Sequence, residues 1–216
     1  MRLAHVQVIR IGFIAMRFTF IIIGDGMFLY PPLYRKLKRG PQVILPKDIG
    51  IIMAFSSVDR DSVCVDAGTG SGWLSLSLAR ICGHVYSYDI REDFIAIAEK
   101  NRERLGIGNV TFKNKDILKG IDERNVDLVT LDMPNAEKAL RHAKKALRDH
   151  GTVAGYLPHV EQVKRFAGRL ETLGFSNIYT VENITREMLV RKEGVRPSTK
   201  GIWHTAYLTF ARKGQE

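Results

Sequence analysis

Val63-Cys-Val-Asp66-Ala-Gly68-Thr-Gly70-Ser-Gly72 decides the fold of this 216-residue chain. An apolar strand runs into a loop with glycine at every second position, and a helix leaves the loop at Trp73. Glycine there lets the backbone approach a ligand without Cβ interference and permits a positive φ where the turn needs it. The next apolar run, Val85-Tyr-Ser-Tyr-Asp89, ends in a carboxylate, the place where an acid accepts hydrogen bonds from a ribose diol. The two features predict a site for a nucleoside-bearing cofactor. A tight strand-to-helix turn without a ligand accounts for the glycines, but not for Asp66 and Asp89 together.

The spacing narrows the cofactor. A dinucleotide fingerprint reads Gly-x-Gly-x-x-Gly/Ala and sets a pyrophosphate against a helix N-terminus. Here Gly68-x-Gly70-x-Gly72 is followed by Trp73 where a small residue is wanted. Asp66, two residues before the first glycine, repels a pyrophosphate but suits a cationic amino-acid moiety. The combination resembles motif I of the S-adenosylmethionine-dependent methyltransferases. That resemblance implies that Asp66, Gly68, Thr69, Gly70, Ser71, Gly72 and Asp89 bind S-adenosylmethionine.

From Pro46 onward the apolar pattern alternates between helical and strand periods, as in a parallel α/β sheet. Asp48 is placed to cap a helix over residues 51–55, and Asp93 a later helix with Phe94, Ile97, Ala98 and Leu105 on one face. Between them a helix runs from the glycine loop to about residue 81. Val110-Thr-Phe112 and Val126-Asp-Leu-Val-Thr-Leu131 read as strands. Ala136, Ala139, Leu140, Ala143 and Leu147 follow helical spacing, with a strand over residues 152–156. Val160, Val163, Ala167, Leu170 and Leu173 give another helix, closed by Gly174. Residues 175–185 and 204–212 are both strand-like with no helix of comparable length between them, which predicts an antiparallel edge hairpin. The predicted fold is a Rossmann-like α/β sheet of seven strands, the methyltransferase sheet. Its order, 3-2-1-4-5-7-6 with the last strand antiparallel, is what the resemblance implies. Residues 1–35 are expected to form a small N-terminal β segment, with a hairpin from Arg17 to Tyr30 around Gly24-Asp25-Gly26. Residues 36–60 read as a basic linker and first helix, and residues 61–216 as the catalytic domain.

Composition sets outer bounds. An apolar share of 45% and a charged share of 26% suit a globular chain with a core large enough to need no staples. The two cysteines, Cys64 and Cys82, make neither a disulfide framework nor a metal site, and no His–Cys cluster has metal-ligand spacing. They read as small buried hydrophobes in a reducing compartment. Residues 11–23 are apolar, but Arg17 interrupts them and they fall short of the ~20 residues of a membrane helix. They lack a small-residue cleavage site, so a cytoplasmic protein with no membrane partner is expected. A net charge of +10 points to a polyanionic partner. Arg35, Lys36, Lys38 and Arg39 form one basic cluster, and Arg186, Arg191, Lys192, Arg196 and Lys200 another. They would form one basic rim if both flank the cofactor site, or two solvated faces if they do not.

Strand ends line the ligand crevice in such sheets, and four carboxylates fall there: Asp66, Asp89, Asp116 and Asp132. Asp116 either receives the exocyclic amine of the cofactor adenine or is an Asx-turn residue, and sequence supports the two equally. Asp132, in Leu131-Asp132-Met133-Pro134, ends the fourth strand; it either faces the reacting methyl or caps the next helix. Six segments occur in order: Arg39-Gly-Pro-Gln42-Val-Ile-Leu-Pro46-Lys47-Asp48, the glycine loop, Tyr88-Asp89-Ile-Arg91-Glu92-Asp93, Leu131-Asp132-Met-Pro134, Leu157-Pro158-x-x-Glu161-Gln162 and His204-Thr205-Ala-Tyr-Leu-Thr-Phe210. Together they resemble the tRNA (adenine-N1)-methyltransferases that modify the T-loop, the archaeal and bacterial homotetrameric branch. The first and last segments carry most of that likeness.

The resemblance implies methyl transfer from S-adenosylmethionine to ring N1 of a T-loop adenosine in tRNA, at position 58, with methylation of 57 as well left open. It makes Asp132 the catalytic carboxylate, puts Asp116 near the cofactor adenine and has Gln42 close the site. It requires no metal. Tyr156, His159 and His204 are candidates to stack on or hydrogen-bond the base, with Arg191 as a further substrate contact; each also has an ordinary structural reading. The chain departs from the family in having Ala136 and Glu137 where a second proline and a tryptophan are common, and Leu45 where tyrosine is frequent. Two other functions are compatible with the sheet. One is an isoaspartyl-protein or corrinoid-precursor methyltransferase, which needs neither the basic clusters nor the His204-to-Phe210 segment. The other is a silent RNA-binding subunit, which would have lost the glycine loop.

Overall fold

The structure is a computed structural model that describes residues 31–40 and 42–215. The expected hairpin from Arg17 to Tyr30 lies outside the described residues; of the expected N-terminal β segment, residues 1–35, only the end is described, and residues 32–35 are helical rather than strand. Among the described residues the chain divides into two compact units, one holding Pro32–Asn183 with Thr205–Glu216 and the other Ile184–His204.

The larger unit is built on a seven-stranded sheet. Its strands are β1 (Val63–Ala67), β2 (His84–Asp89), β3 (Val110–Asn114), β4 (Val126–Leu131), β5 (Leu147–Leu157), β6 (Phe175–Glu182) and, after two strands of the smaller unit, β9 (Tyr207–Lys213). The order is β3-β2-β1-β4-β5-β9-β6, with β9 antiparallel to both β5 and β6. Counted within the sheet, this is the expected 3-2-1-4-5-7-6. β1 and β4 occupy the middle and are covered on both faces, so their sequences are nearly continuous apolar runs. The order reverses around β1 and β4, whose C-terminal tips form the crevice where such sheets bind ligands.

The helices are α1 (Pro32–Lys36), α2 (Pro46–Ser56), α3 (Trp73–Leu78), α4 (Glu92–Leu105), α5 (Ala136–Ala146) and α6 (Val160–Thr172). α5 buries Ala136, Ala139, Leu140, Ala143 and Ala146, close to the expected stripe, but Leu147 already starts β5. α6 buries Phe166 and Leu170, whereas Val160 is exposed. Phe166 packs onto Gly155 of β5 so closely that a Cβ there would sit 2.8 Å from its ring.

Two expected caps fall elsewhere. α2 starts at Pro46, which suits a first helical turn because its missing N–H has no partner there. Asp48 therefore lies inside that turn, buried, rather than at the cap. α4 is preceded by Arg91, and Asp93 sits in its first turn paired with Arg91 at 2.6 Å. The expected edge hairpin is present, with β6 and β9 antiparallel and β9 between β5 and β6, and the residues between these two strands carry the smaller unit. That unit holds a two-stranded antiparallel ribbon, β7 (Met188–Arg191) with β8 (Gly194–Pro197), which the alternation of residues 175–212 did not reveal. Within it the Arg186 guanidinium lies 4.9 Å from the centre of the Trp203 ring. No helix among the described residues is long and apolar enough to cross a membrane.

Candidate active site

The glycine loop follows β1 and is tied to the tip of β2. Gly68 N and Thr69 N donate to the Tyr88 carbonyl at 2.9 and 3.2 Å, and Gly70 N donates to Asp89 Oδ2 at 2.9 Å. Asp89 Oδ1 accepts from Arg91 N at 3.0 Å, so the carboxylate is oriented from both sides of the strand end. Gly68 has φ +92°, and a Cβ there would lie 1.9 Å from the Asp132 carbonyl oxygen. Asp132 N in turn donates to the Ala67 carbonyl at 2.8 Å, which brings the tips of β1 and β4 together. Only glycine fits this approach. Gly72, φ +81°, opens α3, and a Cβ on it would meet Ala98 and Leu76 at 3.2 Å. Its role is to seat α3 against its neighbours.

A cavity of about 590 Å3 opens over these tips. Among the residues expected to bind ligand, Gln42, Gly68, Thr69, Gly70, Ser71, Asp89, Asp116, Asp132 and Tyr156 line it. Asp66, Gly72 and His159 do not. Asp66 lies buried beneath the loop, and both of its oxygens are engaged, Oδ1 by Thr130 and Oδ2 by Ser87, each at 2.7 Å. Thr69 Oγ1 and Ser87 Oγ, 2.7 Å apart, extend that chain into the glycine loop. Asp66 thus shapes the loop and charges it from below. His159 is exposed just before α6, its N–H donating to Gln162 Oε1 at 3.0 Å. Arg191 and His204 belong to the smaller unit. Asp116 shows the turn reading, its Oδ1 capping a short 3-10 turn by accepting from Leu118 N at 2.9 Å, and it also lines the cavity.

Asp132 follows directly on β4 and lines the cavity. Its side chain has no hydrogen bond among the described residues, and it faces the cavity. Burial, then the negative charges of Asp66 and Asp89, push its carboxyl up to about 7. Asp66 is also pushed up, to about 6, by burial, with Thr130 and Ser87 opposing the rise. The two cations on the cavity wall do not relieve them: Arg91 pairs with Asp93 and stacks over Phe94 at 3.7 Å, and Lys115 pairs with Asp122 at 2.8 Å.

Several lining residues escaped sequence reading. Arg91, Lys115, Asn135 and Gln162 all reach the cavity, and Trp73 closes it beside the ring of Tyr34 at 5.1 Å. Asn101, fully buried on α4, holds the loop to the preceding linker: its Nδ2 donates to the carbonyls of Ser71 and Lys38, and its Oδ1 accepts from Lys38 N, all at 2.8 Å. Its signal was faint, a single polar residue on the inward face of an otherwise amphipathic helix.

The residues fit S-adenosylmethionine. Ser71 Oγ is buried at the cavity wall without a hydrogen-bond partner among the described residues, a polar atom that awaits a polar ligand. The glycine backbone leaves room for the ligand's amino-acid end. Asp89, held by Gly70 N and Arg91 N, and Asp116 both present oxygens at the cavity wall for a polar ligand, and uncompensated negative charge suits a cation. No group of three or more His, Cys, Asp or Glu side chains among the described residues has metal-holding geometry.

Comparison with known proteins agrees with this geometry. The chain is 38% identical over 90% of its length, and 78% of the relative's, to a tRNA (adenine(57)-N(1)/adenine(58)-N(1))-methyltransferase of Methanocaldococcus jannaschii. A crystal structure of a SAM-dependent O-methyltransferase from Thermotoga maritima superposes with a TM-score of 0.82 at 33% identity, covering 87% of this chain and 73% of that one. The tRNA (m1A58) methyltransferase of Aquifex aeolicus gives 0.80 at 29% identity, covering 86% and 77%. The model of the tRNA methyltransferase complex GCD14 subunit family matches residues 30–200, which takes in the glycine loop, Asp132 and the basic ribbon alike, and the chain belongs to that family.

Proposed function

We propose that this protein transfers the methyl group of S-adenosylmethionine to ring N1 of a T-loop adenosine of tRNA, at position 58 or 57, the positions named for its M. jannaschii relative. The observation that carries the reading is Asp132: an unpartnered carboxylate at the tip of β4, facing the cavity beside a glycine loop. S-adenosylmethionine supplies an electrophilic methyl carbon on a sulfonium. The adenine N1 lone pair forms the new N–C bond as the C–S bond breaks and its electron pair returns to sulfur. The base gains positive charge as this happens, and the Asp132 carboxylate, accepting from its exocyclic amine, stabilises that charge. The glycine loop and Asp89 hold the donor, and holding both reactants in place removes much of the entropic barrier. A T-loop base is stacked inside folded tRNA, so it must be extruded into the cavity to reach Asp132.

Tyr156 on the cavity wall is proposed to contact the base. His159 at the start of α6, with Arg191 and His204 of the smaller unit, is proposed to contact the surrounding tRNA. The basic clusters at residues 35–39 and 186–200 supply the charge for a polyanion, each on its own unit. A cytoplasmic homotetramer is proposed on the likeness to the archaeal and bacterial branch; two free buried cysteines, Cys64 and Cys82, support a reducing compartment. The test is incubation with unmodified tRNA and labelled S-adenosylmethionine, followed by nucleoside mass spectrometry. The expected product is 1-methyladenosine; label in another nucleoside, or in protein, overturns the proposal.

A further inference from the structure

A densely connected polar cluster outside the glycine loop lies in the first turn of α2. Lys47 and Asp48 sit in the first turn of α2 with side chains 8% and 0% exposed. Burying such a pair is costly unless every donor and acceptor finds a partner. Here the ammonium spends all three of its donors. Lys47 Nζ donates to Asp48 Oδ1 at 2.7 Å, to Thr205 Oγ1 at 2.8 Å and to the Asn183 carbonyl at 2.7 Å. Thr205 Oγ1 donates onward to Asp48 Oδ2 at 2.7 Å, and Asn183 Nδ2 returns to the Lys47 carbonyl at 2.7 Å. The cluster thus fixes α2 against the end of β6 and the approach to β9.

It also reaches one residue of the cavity wall, Tyr156. The Tyr156 hydroxyl lies within hydrogen-bonding reach of Thr205 and Asp48, and the charges of Asp48 and Asp132 act on it. Tyr156 lies near the end of β5, and the pairing of Leu131 with Gly155 sets Asp132 and Tyr156 side by side on neighbouring strands. Both line the cavity. Its hydroxyl is therefore anchored by a cluster whose own atoms are locked, while its ring forms wall next to the carboxylate.

We propose that Lys47, Asp48 and Thr205 are positioning residues that hold Tyr156 in one orientation beside Asp132, so that the acceptor base is received at a fixed angle to the methyl donor. This rests on the proposed function, because it concerns the acceptor and not the cofactor. A cluster that merely staples three segments together makes a different prediction: it would act on stability whatever stands at position 156.

The test is a double-mutant cycle on the full-length chain with unmodified tRNA: Thr205→Ala, Tyr156→Phe, both together, and Thr205→Ser. Thr205→Ala should lower kcat about tenfold, the order expected of a misplaced contact, while S-adenosylmethionine affinity by calorimetry stays within about twofold. Thr205→Ser, which keeps the hydroxyl, should restore kcat. The double variant should be no slower than Tyr156→Phe alone, because the anchor acts through the phenol. Additive losses, an unchanged kcat in Thr205→Ala, failure of serine to rescue, or a parallel loss of cofactor binding would each overturn the positioning role. Thr205 is chosen over Lys47 and Asp48 because removing one member of the ion pair risks unfolding the chain. A wild-type protein that forms no 1-methyladenosine overturns the proposed function and this inference together. Active wild type with an unaffected Thr205→Ala overturns the inference alone.

Discussion

Titrating Asp132 should control how tightly the protein holds S-adenosylmethionine. Burial and the charges of Asp66 and Asp89 place its carboxyl at about 7, so at pH 6 it is mostly neutral and at pH 8 mostly ionised. A unit positive charge about 5 Å away, at an effective dielectric of about 20, is worth about 3 kcal/mol to the ionised form. That moves the midpoint from about 7 down to about 5 when the sulfonium is in place. Binding therefore releases a proton, and affinity should rise about tenfold between pH 6 and pH 8. Asp66 titrates earlier, at about 6, so most of the change over this window belongs to Asp132. S-adenosylhomocysteine lacks the sulfonium charge, and its affinity should change by no more than about twofold over the same window. Calorimetry in two buffers of different ionisation enthalpy reads both affinity and proton release. Asp132→Asn should flatten the pH dependence and abolish methyl transfer while leaving binding at pH 6 nearly intact. The linkage has a second sign to check. A carboxyl raised above its unfolded value contributes stability below 3.8 that is lost as pH rises through 7, so the ligand-free protein should melt lower at pH 8 than at pH 5. Equal S-adenosylmethionine affinity at pH 6 and pH 8, or a surviving pH dependence in Asp132→Asn, would refute the electrostatic account.

Gly68→Ala sets a Cβ 1.9 Å from the Asp132 carbonyl oxygen at φ +92°, and should cost about 3 kcal/mol or more together with cofactor binding; an unchanged Tm would contradict the close approach. Thr130→Val removes one of the two side-chain donors to buried Asp66 and should destabilise by about 1–3 kcal/mol. Because Thr130 holds that carboxyl down, the loss should be larger at pH 8 than at pH 5 in urea denaturation; an equal loss would assign the cost to packing. Arg191→Ala combined with Arg196→Ala should reduce the slope of log affinity for tRNA against log salt by about 2, with S-adenosylmethionine binding unchanged. A slope that does not move would place the tRNA on another surface.

What the sequence showed depended on how local each interaction is. The glycine loop, Asp89 and Asp132 stand at the ends of apolar runs, so strand period and punctuation locate them without knowledge of the fold. Asp48 read as a helix cap because its distant partner, Thr205, 157 positions away along the chain, is reached only once the sheet is closed. Asp66 read as a ligand contact for the same reason. Thr130, 64 positions away, and Ser87, 21 positions away, occupy its oxygens, and neither pairing is encoded near motif I. The β7–β8 ribbon had a local signal, two short β-rich runs around Lys192-Glu193-Gly194, but its exposed Val190 and Val195 broke the polar-out alternation that marks a half-buried strand.

Asp66 also explains why a carboxylate stands at a position that never meets the cavity. An amide there would accept from Thr130 through its oxygen and donate to Ser87 Oγ through its NH2, keeping both contacts, and would cost less to bury. The carboxylate adds negative charge under the glycine loop, and that charge helps to raise Asp132 to about 7. In the ligand-free protein this repulsion is a cost to stability; when a cation enters, the same field becomes attraction, felt by the charged donor and far less by the neutral thioether left after transfer. A site built this way favours substrate over spent product through charge alone, without any contact to the methyl group. Asp66→Asn is the decisive variant. Hydrogen bonding beneath the loop would be kept, and the preference for S-adenosylmethionine over S-adenosylhomocysteine at pH 8 should shrink by several-fold, about 1 kcal/mol for a charge separated by one layer of protein. Retention of the full preference would show that Asp66 serves the loop's shape alone.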